Sequence, residues 1–197
     1  MILHEDWYWN NDEYDADISL VVLQSKVDLS DPMKVAIICL PSARDVDYEG
    51  TGTVVGWGIS EASEANYEHF DSTPNEIELP SVTQTQCEEA GNDFHTASSD
   101  RTFCAGYLKQ GKTACTGDSG GGFVAYDRLR KNYNLAGIVS SSLIDKNLRS
   151  CNIDTYSIFT DVGKFVEWMR KNMEETEEIK WKDVDFQCHL SDRFFDL

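Results

Sequence analysis

The sequence predicts an antiparallel all-β fold that ends in an α-helix, and three stretches support this. Residues 77–82 alternate apolar and polar side chains, as a half-buried strand does. Residues 122–126 and 133–142 resemble two paired strands on either side of the basic turn 128–131. A helix is predicted over residues 161–173, because apolar side chains recur there at helical spacing: Val162, Phe165, Val166, Met169 and Met173.

Composition limits both the size of the core and the class of partner. With 197 residues, 41% of them apolar and 26% charged, the chain can bury one substantial core or two small ones. No apolar run approaches the length of a membrane span. The net charge of −18 disfavours nucleic acid and anionic lipid. We therefore expect a protein or peptide partner, and neither nucleic acid nor membrane.

The first residues predict a short strand that enters an acidic loop. The strand covers residues 2–9 and the loop residues 10–15. Asp17 follows, directly before the apolar run 18–23, which we expect to form a buried strand. A carboxylate in this position can be partly buried and still ionised. Taken alone, these residues favour a solvated loop aspartate over a catalytic acid.

The most informative stretch is residues 113–122, Thr-Ala-Cys-Thr-Gly-Asp-Ser-Gly-Gly-Gly. It places Ser119 in a glycine-rich bend whose backbone can adopt torsions that other residues avoid. The N–H groups of Gly117 and Ser119 can then converge on one point and stabilise an oxyanion, an effect of about 3–4 kcal/mol per donor. The alternative is a flexible turn without chemistry.

Four motifs together resemble the trypsin/chymotrypsin family of serine proteases. Gly-Asp-Ser-Gly-Gly at 117–121 resembles its nucleophile motif, and residues 15–23, 35–41 and 51–58 resemble its Asn-Asp-Ile-Ala-Leu-Leu, Val-Cys-Leu-Pro and Val-Thr-Gly-Trp-Gly elements. The resemblance covers about residues 1–173. It implies a double β-barrel whose first barrel is incomplete.

The resemblance also implies a division of the chain. Residues 1–50 would be the remnant of the first barrel, residues 51–160 the second barrel and residues 161–173 the C-terminal helix. The segment 35–41 would be a strand that leads to the crossover between barrels. Residues 174–197 lie outside the resemblance and form an acidic C-terminal extension.

The resemblance assigns catalytic roles by position. Ser119 would be the nucleophile of a serine endopeptidase and Asp17 the acid that orients its histidine. The N–H groups of Gly117 and Ser119 would form the oxyanion hole. Asp118 would be the acid of the activation pocket, which pairs with a new N-terminal ammonium. No cofactor or metal is expected, because the cysteines and histidines lack metal-ligand spacing.

Substrate specificity would depend on four residues, again by resemblance. Thr113 falls at the base of the pocket where trypsin-like enzymes carry an aspartate, so a preference for Arg or Lys is not implied. Ser140 and Ser142 belong to the strand that binds an extended substrate. Ser157 replaces a common pocket glycine. We expect a small or medium, uncharged side chain before the scissile bond.

Six cysteines imply an oxidising, extracellular compartment, although the chain shows no signal peptide. The resemblance implies the pairs Cys87–Cys104 and Cys115–Cys151. Cys39 and Cys188 remain, and two alternatives stay open for them. They could pair with each other, or Cys39 could bridge to an upstream regulatory domain.

The family's general base, a histidine in a Thr-Ala-Ala-His-Cys motif, has no counterpart in the sequence. We expect His4 at a surface position, His69 in a loop, His95 between the first cysteine pair and His189 in the extension, none of them as the base. Without the new N-terminal ammonium, we also expect Asp118 to lack a partner and its loop to be misordered or turned outward.

Two hypotheses follow. The chain could be the C-terminal part of a secreted serine endopeptidase whose histidine lies in a missing N-terminal segment. It could instead be a non-catalytic homologue that binds proteins. Retention of Asp17, Asp118 and Ser119 favours the enzyme.

Overall fold

The computed structural model describes residues 1–7, 14–41, 50–59, 72–145 and 150–175. These residues form ten strands, three α-helices and a 3₁₀ turn. The strands are β1 (Ile2–Leu3), β2 (Ser19–Leu20), β3 (Thr51–Gly56), β4 (Asn75–Val82), β5 (Thr102–Ala105), β6 (Gly122–Asp127), β7 (Asn132–Ser142), β8 (Ile144–Asp145), β9 (Ser150–Cys151) and β10 (Ser157–Asp161). The helices are α1 (Gln84–Glu89), α2 (Asn92–Ala97) and α3 (Val166–Glu175), and the 3₁₀ turn Val162–Phe165 leads into α3.

Six antiparallel strands close a barrel in the order β10-β5-β4-β3-β6-β7. Closure removes the exposed edges that a flat sheet would present. Aromatic rings fill the barrel: Phe103 stacks on Phe159 at a centroid distance of 5.3 Å, and Phe123 meets Phe159 edge-on at 5.1 Å. Gly52 and Gly137 make room for these rings, since a Cβ at either position would overlap Phe123 or Phe103. The predicted antiparallel β fold is confirmed.

The hairpin β6–β7 matches its prediction closely. Asp127 pairs with Asn132 at the last rung of the ladder, and residues 128–131 form the turn. The Asp127 carboxylate accepts hydrogen bonds from the N–H groups of Leu129 (2.8 Å) and Arg130 (3.0 Å). The side chain of Asp127 thereby fixes the shape of the turn.

Two short helices, α1 and α2, lie between β4 and β5 and were not predicted. Thr83 caps α1 through a capping box with Gln86, in which each side chain bonds the other residue's N–H group. Phe94 of α2 is buried against Tyr156. The Thr-x-x-Gln pattern before Cys87 is the sequence signal that could have identified α1.

The C-terminal helix is confirmed, with its first turn wound as 3₁₀. Asp161 caps it, because its carboxylate accepts a hydrogen bond from the Gly163 N–H group at 2.9 Å. The helix packs on the N-terminal segment in a second core cluster formed by Ala16, Ile18, Val162, Phe165, Val166 and Met169. Among the described helices, none is long and apolar enough to cross a bilayer.

Two strands expected in the N-terminal segment are not formed as predicted. The run 18–23 contributes only Ser19–Leu20 to a strand, which pairs with β1, and Val21, Val22 and Leu23 are 69%, 57% and 60% exposed. The segment 35–41 makes a single parallel bridge, from Cys39 to Asn134. Within the described ranges no strand runs alongside residues 21–38. Their backbone groups therefore form no hydrogen bonds of a β-sheet, and most of their side chains are exposed.

Candidate active site

The loop that carries Ser119 is ordered by its own backbone and by β7. The Asp118 N–H group bonds the Cys115 carbonyl at 3.0 Å. Gly120 and Gly121 bond Val139 of β7 through a reciprocal pair of 2.8 Å hydrogen bonds, from Gly120 N to Val139 O and from Val139 N to Gly121 O. Gly120 adopts a φ of 83°, which few other residues tolerate. Ser119 is exposed at the top of this loop.

Gly117 precedes the serine with a φ of 99°. Among the described residues, none bonds the N–H group of Gly117 or Ser119. The neighbouring N–H groups of Asp118, Gly120 and Gly121 are all bonded to backbone carbonyls. Two unengaged donors therefore flank the exposed hydroxyl, which is the arrangement that could stabilise an oxyanion.

Asp17 is held from both its side chain and its backbone. The Ser140 hydroxyl donates a 2.7 Å hydrogen bond to its carboxylate, and the Thr160 hydroxyl donates a 3.0 Å hydrogen bond to its carbonyl. The preceding residue, Ala16, is fully buried with a φ of 55°, an unusual conformation for alanine. This turn directs the half-buried Asp17 side chain toward β7.

Strand β7 contacts both the loop of Ser119 and the side chain of Asp17, through consecutive residues. Val139 bonds the loop directly after Ser119, and the next residue, Ser140, bonds Asp17. Ser140 was predicted to line the specificity pocket, but its hydroxyl is engaged by the Asp17 carboxylate. No local sequence pattern indicates this contact, because the two residues are 123 positions apart.

The expectation that Asp118 would lack a partner is wrong. Its carboxylate accepts hydrogen bonds from the N–H groups of Gly58 (2.9 Å) and Cys115 (3.0 Å). A Cβ on Gly56 or Gly58 would overlap that carboxylate, so these glycines leave the space that it occupies. Two backbone donors stabilise the charge, and the loop is ordered rather than turned outward.

A cavity of about 660 Å³ borders Asp118. Its lining residues come from 54–59, 75–78 and 107–118, together with Ile153. The charged members are Glu76, Glu78, Lys112 and Asp118, and the apolar ones include Val54, Tyr107 and Ile153. The cavity lies beside the nucleophile loop and could receive a small cationic group.

Three hydroxyl groups cluster where the specificity pocket was predicted. The hydroxyls of Thr113 and Ser157 lie 2.5 Å apart, and those of Ser142 and Ser157 lie 3.1 Å apart. Ser142 also donates to the Ala114 carbonyl at 2.8 Å, while Ser157 is fully buried and accepts from the Ala114 N–H group. The segment before the nucleophile and strand β7 are thus in direct contact, which leaves little depth between them.

Both disulfides implied by the sequence are present. Cys87 pairs with Cys104, and Cys115 pairs with Cys151. The second bond joins the nucleophile segment to β9. Cys39 is also disulfide-bonded, and Cys188 lies outside the described residues.

The two described histidines do not approach Ser119. His4, expected at the surface, is instead 7% exposed: its ring packs against Phe165 and Trp168, at centroid distances of 5.1 and 4.8 Å. Its Nδ1 atom accepts a hydrogen bond from the Asp6 N–H group. His95 is exposed on α2. His69 and His189 lie outside the described residues.

Arg101 holds Asp15, two residues before Asp17, and no pattern in the sequence pointed to this role. Its guanidinium makes a two-pronged contact with Asp15, bonds Asp6 at 2.7 Å and lies over the Phe165 ring. These hydrogen bonds from Arg101 hold the pKa of Asp15 below its ordinary value. Asp15 is thereby fixed two residues before Asp17. Within the described ranges, no cluster of three side chains could hold a metal ion.

Known proteins share this sequence pattern. The Trypsin family model matches residues 1–169. The chain is 33% identical to haptoglobin of Bos taurus over 176 residues, which cover 82% of this chain and 41% of that protein. It is 35% identical over 164 residues to Limulus clotting factor C of Carcinoscorpius rotundicauda, covering 79% of this chain and 15% of that protein. Serine protease gd of Drosophila melanogaster is 26% identical over 193 residues, which cover 85% of this chain and 36% of that protein. The chain spans less than half the length of each of these relatives.

Proposed function

The chain belongs to the trypsin family, and from that premise we propose that it is the C-terminal part of a secreted serine endopeptidase. A histidine from a segment upstream of residue 1 would complete the site. The two disulfides, Cys87–Cys104 and Cys115–Cys151, support an oxidising compartment.

The proposed reaction is peptide hydrolysis through an acyl-enzyme. The Ser119 oxygen attacks the peptide carbonyl carbon while its proton passes to the upstream imidazole, which Asp17 orients. The N–H groups of Gly117 and Ser119 stabilise the oxyanion. The imidazole then protonates the departing amine, and a water molecule releases the acid by the same route. Loss of the histidine alone lowers turnover by about 10⁶, so the chain without it should hydrolyse peptides at a negligible rate.

The observation that supports this proposal most is the convergence on β7. Val139 anchors the loop of Ser119 and Ser140 anchors the Asp17 carboxylate, so a nucleophile and an acid are fixed to consecutive residues of one strand. A site with only a structural role has no need for an exposed serine flanked by unengaged N–H donors.

Asp118 is proposed as the acid of the activation pocket. The cavity beside it offers about 660 Å³, enough for a short chain terminus. An inserted ammonium would join the two N–H donors that already stabilise the carboxylate, from Gly58 and Cys115. Cleavage that produces the new N-terminal ammonium would then stabilise a nucleophile loop that is already ordered. It would not be needed to order the loop.

The hydroxyl cluster supports a preference for a small, uncharged residue before the scissile bond. Ser142 donates to the Ala114 carbonyl, and the hydroxyls of Thr113 and Ser157 are hydrogen-bonded. We propose that these groups form the base of the specificity pocket. An arginine, lysine or large aromatic side chain would have to displace these hydrogen bonds. We propose alanine-sized residues as the preferred substrates.

A second candidate function is a non-catalytic protein-binding module. The observation that favours it is the placement of the described histidines, since His4 is buried against Trp168 and His95 is exposed on α2. In that case the exposed Ser119 and the unengaged N–H groups beside it would serve no chemistry.

The two proposed functions can be distinguished by sequencing the transcript upstream of Met1 and expressing the extended protein that it encodes. The endopeptidase proposal expects a Thr-Ala-Ala-His-Cys-like segment. It also expects that the extended protein cleaves an alanine-containing peptide, that Ser119→Ala abolishes cleavage, and that the exposed control Ser30→Ala does not. An in-frame stop before Met1, or an extended protein whose cleavage survives Ser119→Ala, would refute it.

A further inference from the structure

The turn that carries Asp17 has a backbone conformation that must be held by its surroundings. Ala16, directly before Asp17, is fully buried with a φ of 55°. This left-handed conformation is unfavourable for alanine, because its Cβ atom lies too close to the following carbonyl oxygen. The Ile18 N–H group bonds the Ala16 carbonyl at 2.7 Å, so the turn closes tightly around Asp17. Backbone strain of this kind persists where several contacts hold the chain.

Contacts from the barrel hold the Asp17 end of this turn. The Ser140 hydroxyl bonds the Asp17 carboxylate at 2.7 Å, and the Thr160 hydroxyl bonds the Asp17 carbonyl at 3.0 Å. Neither contact reaches the residues before Ala16. The other end of the turn therefore needs its own attachment.

Arg101 supplies that attachment through Asp15. Its guanidinium makes a two-pronged contact with the Asp15 carboxylate, in which the Nε–Oδ1 distance is 2.9 Å. The Ser99 hydroxyl donates to the same carboxylate at 2.9 Å. The side chains of Arg101 and Asp15 are 25% and 26% exposed, so solvent screens their contact only in part. Two parallel N–H···O bonds fix the direction of a carboxylate as well as its distance.

Arg101 is itself fixed to the barrel. Its N–H group donates to the Ser99 hydroxyl at 3.1 Å, and its carbonyl accepts a hydrogen bond from the Asp161 N–H group at 2.9 Å. Asp161 directly follows Thr160 in β10. Consecutive residues of one strand therefore hold Asp17 and the residue that holds Asp15. The two ends of the turn are fixed to the same part of the barrel.

We propose that Arg101 is a positioning residue for the catalytic acid: through Asp15 it holds the turn at Ala16 and so fixes the direction of the Asp17 carboxylate. This inference rests on the proposed endopeptidase function, in which Asp17 orients an imidazole. A displacement of about 1 Å at such a group can lower a reaction rate by about 10². An attachment outside the site can therefore determine its rate.

The charges around Arg101 show which variant tests position alone. Arg101 faces the carboxylates of Asp6 and Asp15, and the His4 ring lies 3.9 Å from the Asp6 carboxylate. Removal of the guanidinium would leave these carboxylates uncompensated. Their negative charge would attract an imidazolium ion and offset part of the loss of position. Arg101→Lys keeps the positive charge and loses the two-pronged contact, so it changes position alone.

Amide hydrogen exchange of the full chain tests the positioning independently of any reaction. The Ile18 N–H group reports on the turn, because it bonds the Ala16 carbonyl. We expect Arg101→Lys to speed exchange at Ile18 by about tenfold or more, because the turn opens more easily without the two-pronged contact. Unchanged exchange at Ile18 would overturn the proposal.

Two controls separate a local effect from a general loss of stability. Arg170→Lys alters an exposed contact with Glu167 on α3 and should leave exchange at Ile18 unchanged. The Val139 N–H group, which bonds the Gly121 carbonyl, is the reference within the barrel. Equal acceleration at Val139 and Ile18 in Arg101→Lys would mean that Arg101 stabilises the whole fold, and this result would also overturn the proposal.

Acetylation of Ser119 by p-nitrophenyl acetate tests the consequence for catalysis. We expect Arg101→Lys to lose most of the acceleration that added imidazole provides and to keep its rate without imidazole, whereas a general structural defect would lower both rates. Full acceleration in Arg101→Lys would overturn the role of Arg101 and leave the endopeptidase proposal intact. An unmodified chain that imidazole does not accelerate would contradict the endopeptidase proposal instead, and exchange at Ile18 would then decide whether Arg101 holds the turn.

Discussion

The Ser140 hydroxyl donates a 2.7 Å hydrogen bond to the Asp17 carboxylate and so joins β7 to the turn before β2. This contact links the barrel to the N-terminal segment one residue after Val139, which bonds the loop of Ser119. A hydrogen bond to a charged group contributes more to the free energy of unfolding than a hydrogen bond between neutral groups. It therefore fixes the direction of Asp17 as well as stabilising the fold.

Ser140→Ala should lower the free energy of unfolding by about 1.5–3 kcal/mol, because it removes a hydrogen bond to an ionised acceptor. Ser141→Ala is the matched control, since Ser141 is the next residue of β7, pairs with Ile158 of β10, and its hydroxyl makes no hydrogen bond among the described residues. Urea denaturation measures both. A double-mutant cycle with Asp17→Asn should show coupling above about 0.5 kcal/mol, and purely additive effects would mean that the two side chains do not interact.

Arg101→Leu should change how stability depends on acid. Hydrogen bonds from Arg101 hold the pKa of Asp15 below the ordinary value of 3.8. An acid whose pKa is lower in the folded state stabilises the fold above the unfolded value, and this stability is lost as the pH falls through the folded value. The unmodified chain should therefore lose stability steadily below about pH 4, and Arg101→Leu should lose less over the same range.

The control for this comparison is Arg170→Leu, which removes an exposed pair with Glu167 on α3. Burial raises the pKa of Asp161, so this residue changes the pH dependence of stability in the opposite direction. Because Asp161 is present in all three proteins, its effect cancels when they are compared. Unfolding by urea between pH 2 and pH 6 provides the data. Parallel acid profiles for Arg101→Leu and the unmodified chain would contradict the role of Arg101.

Gly58→Ala should destabilise the nucleophile loop by about 1–3 kcal/mol, because a new Cβ would overlap the Asp118 carboxylate. Gly50→Ala is the matched control, since open space surrounds that position. Thermal unfolding measures both. If Gly58→Ala is as mild as Gly50→Ala, the Asp118 carboxylate does not occupy the position beside Gly58.

Strand pattern and turn chemistry were sufficient to predict much of the barrel. The β6–β7 hairpin was predictable because alternating strands flank a polar turn, and α3 because its apolar residues recur at helical spacing. The runs 18–23 and 35–41 were overpredicted. Their apolar residues are typical of buried strands, but within the described ranges no strand runs alongside residues 21–38, and burial is confined to the ends of the two runs, as at Ile18 and Cys39.

The candidate site was predictable only where function requires a particular residue at a particular place. The glycines around Ser119 are visible in the sequence because the backbone needs them. The partners of Asp118 and Asp17 were not, since Gly58 donates through its backbone and Ser140 is one of three consecutive serines. Contacts between distant positions that use common groups leave no local pattern.

The central claim is that Asp17 and Ser119 face a common space which an imidazole would complete. Acetylation of Ser119 by p-nitrophenyl acetate, followed by peptide mapping, measures this with and without added imidazole. We expect imidazole to accelerate acetylation of Ser119 by about tenfold or more and to saturate, as for a bound general base. Asp17→Ala should lose most of the acceleration. Acetylation of Ser119 that imidazole does not accelerate, or that Asp17→Ala leaves unchanged, would contradict the claim.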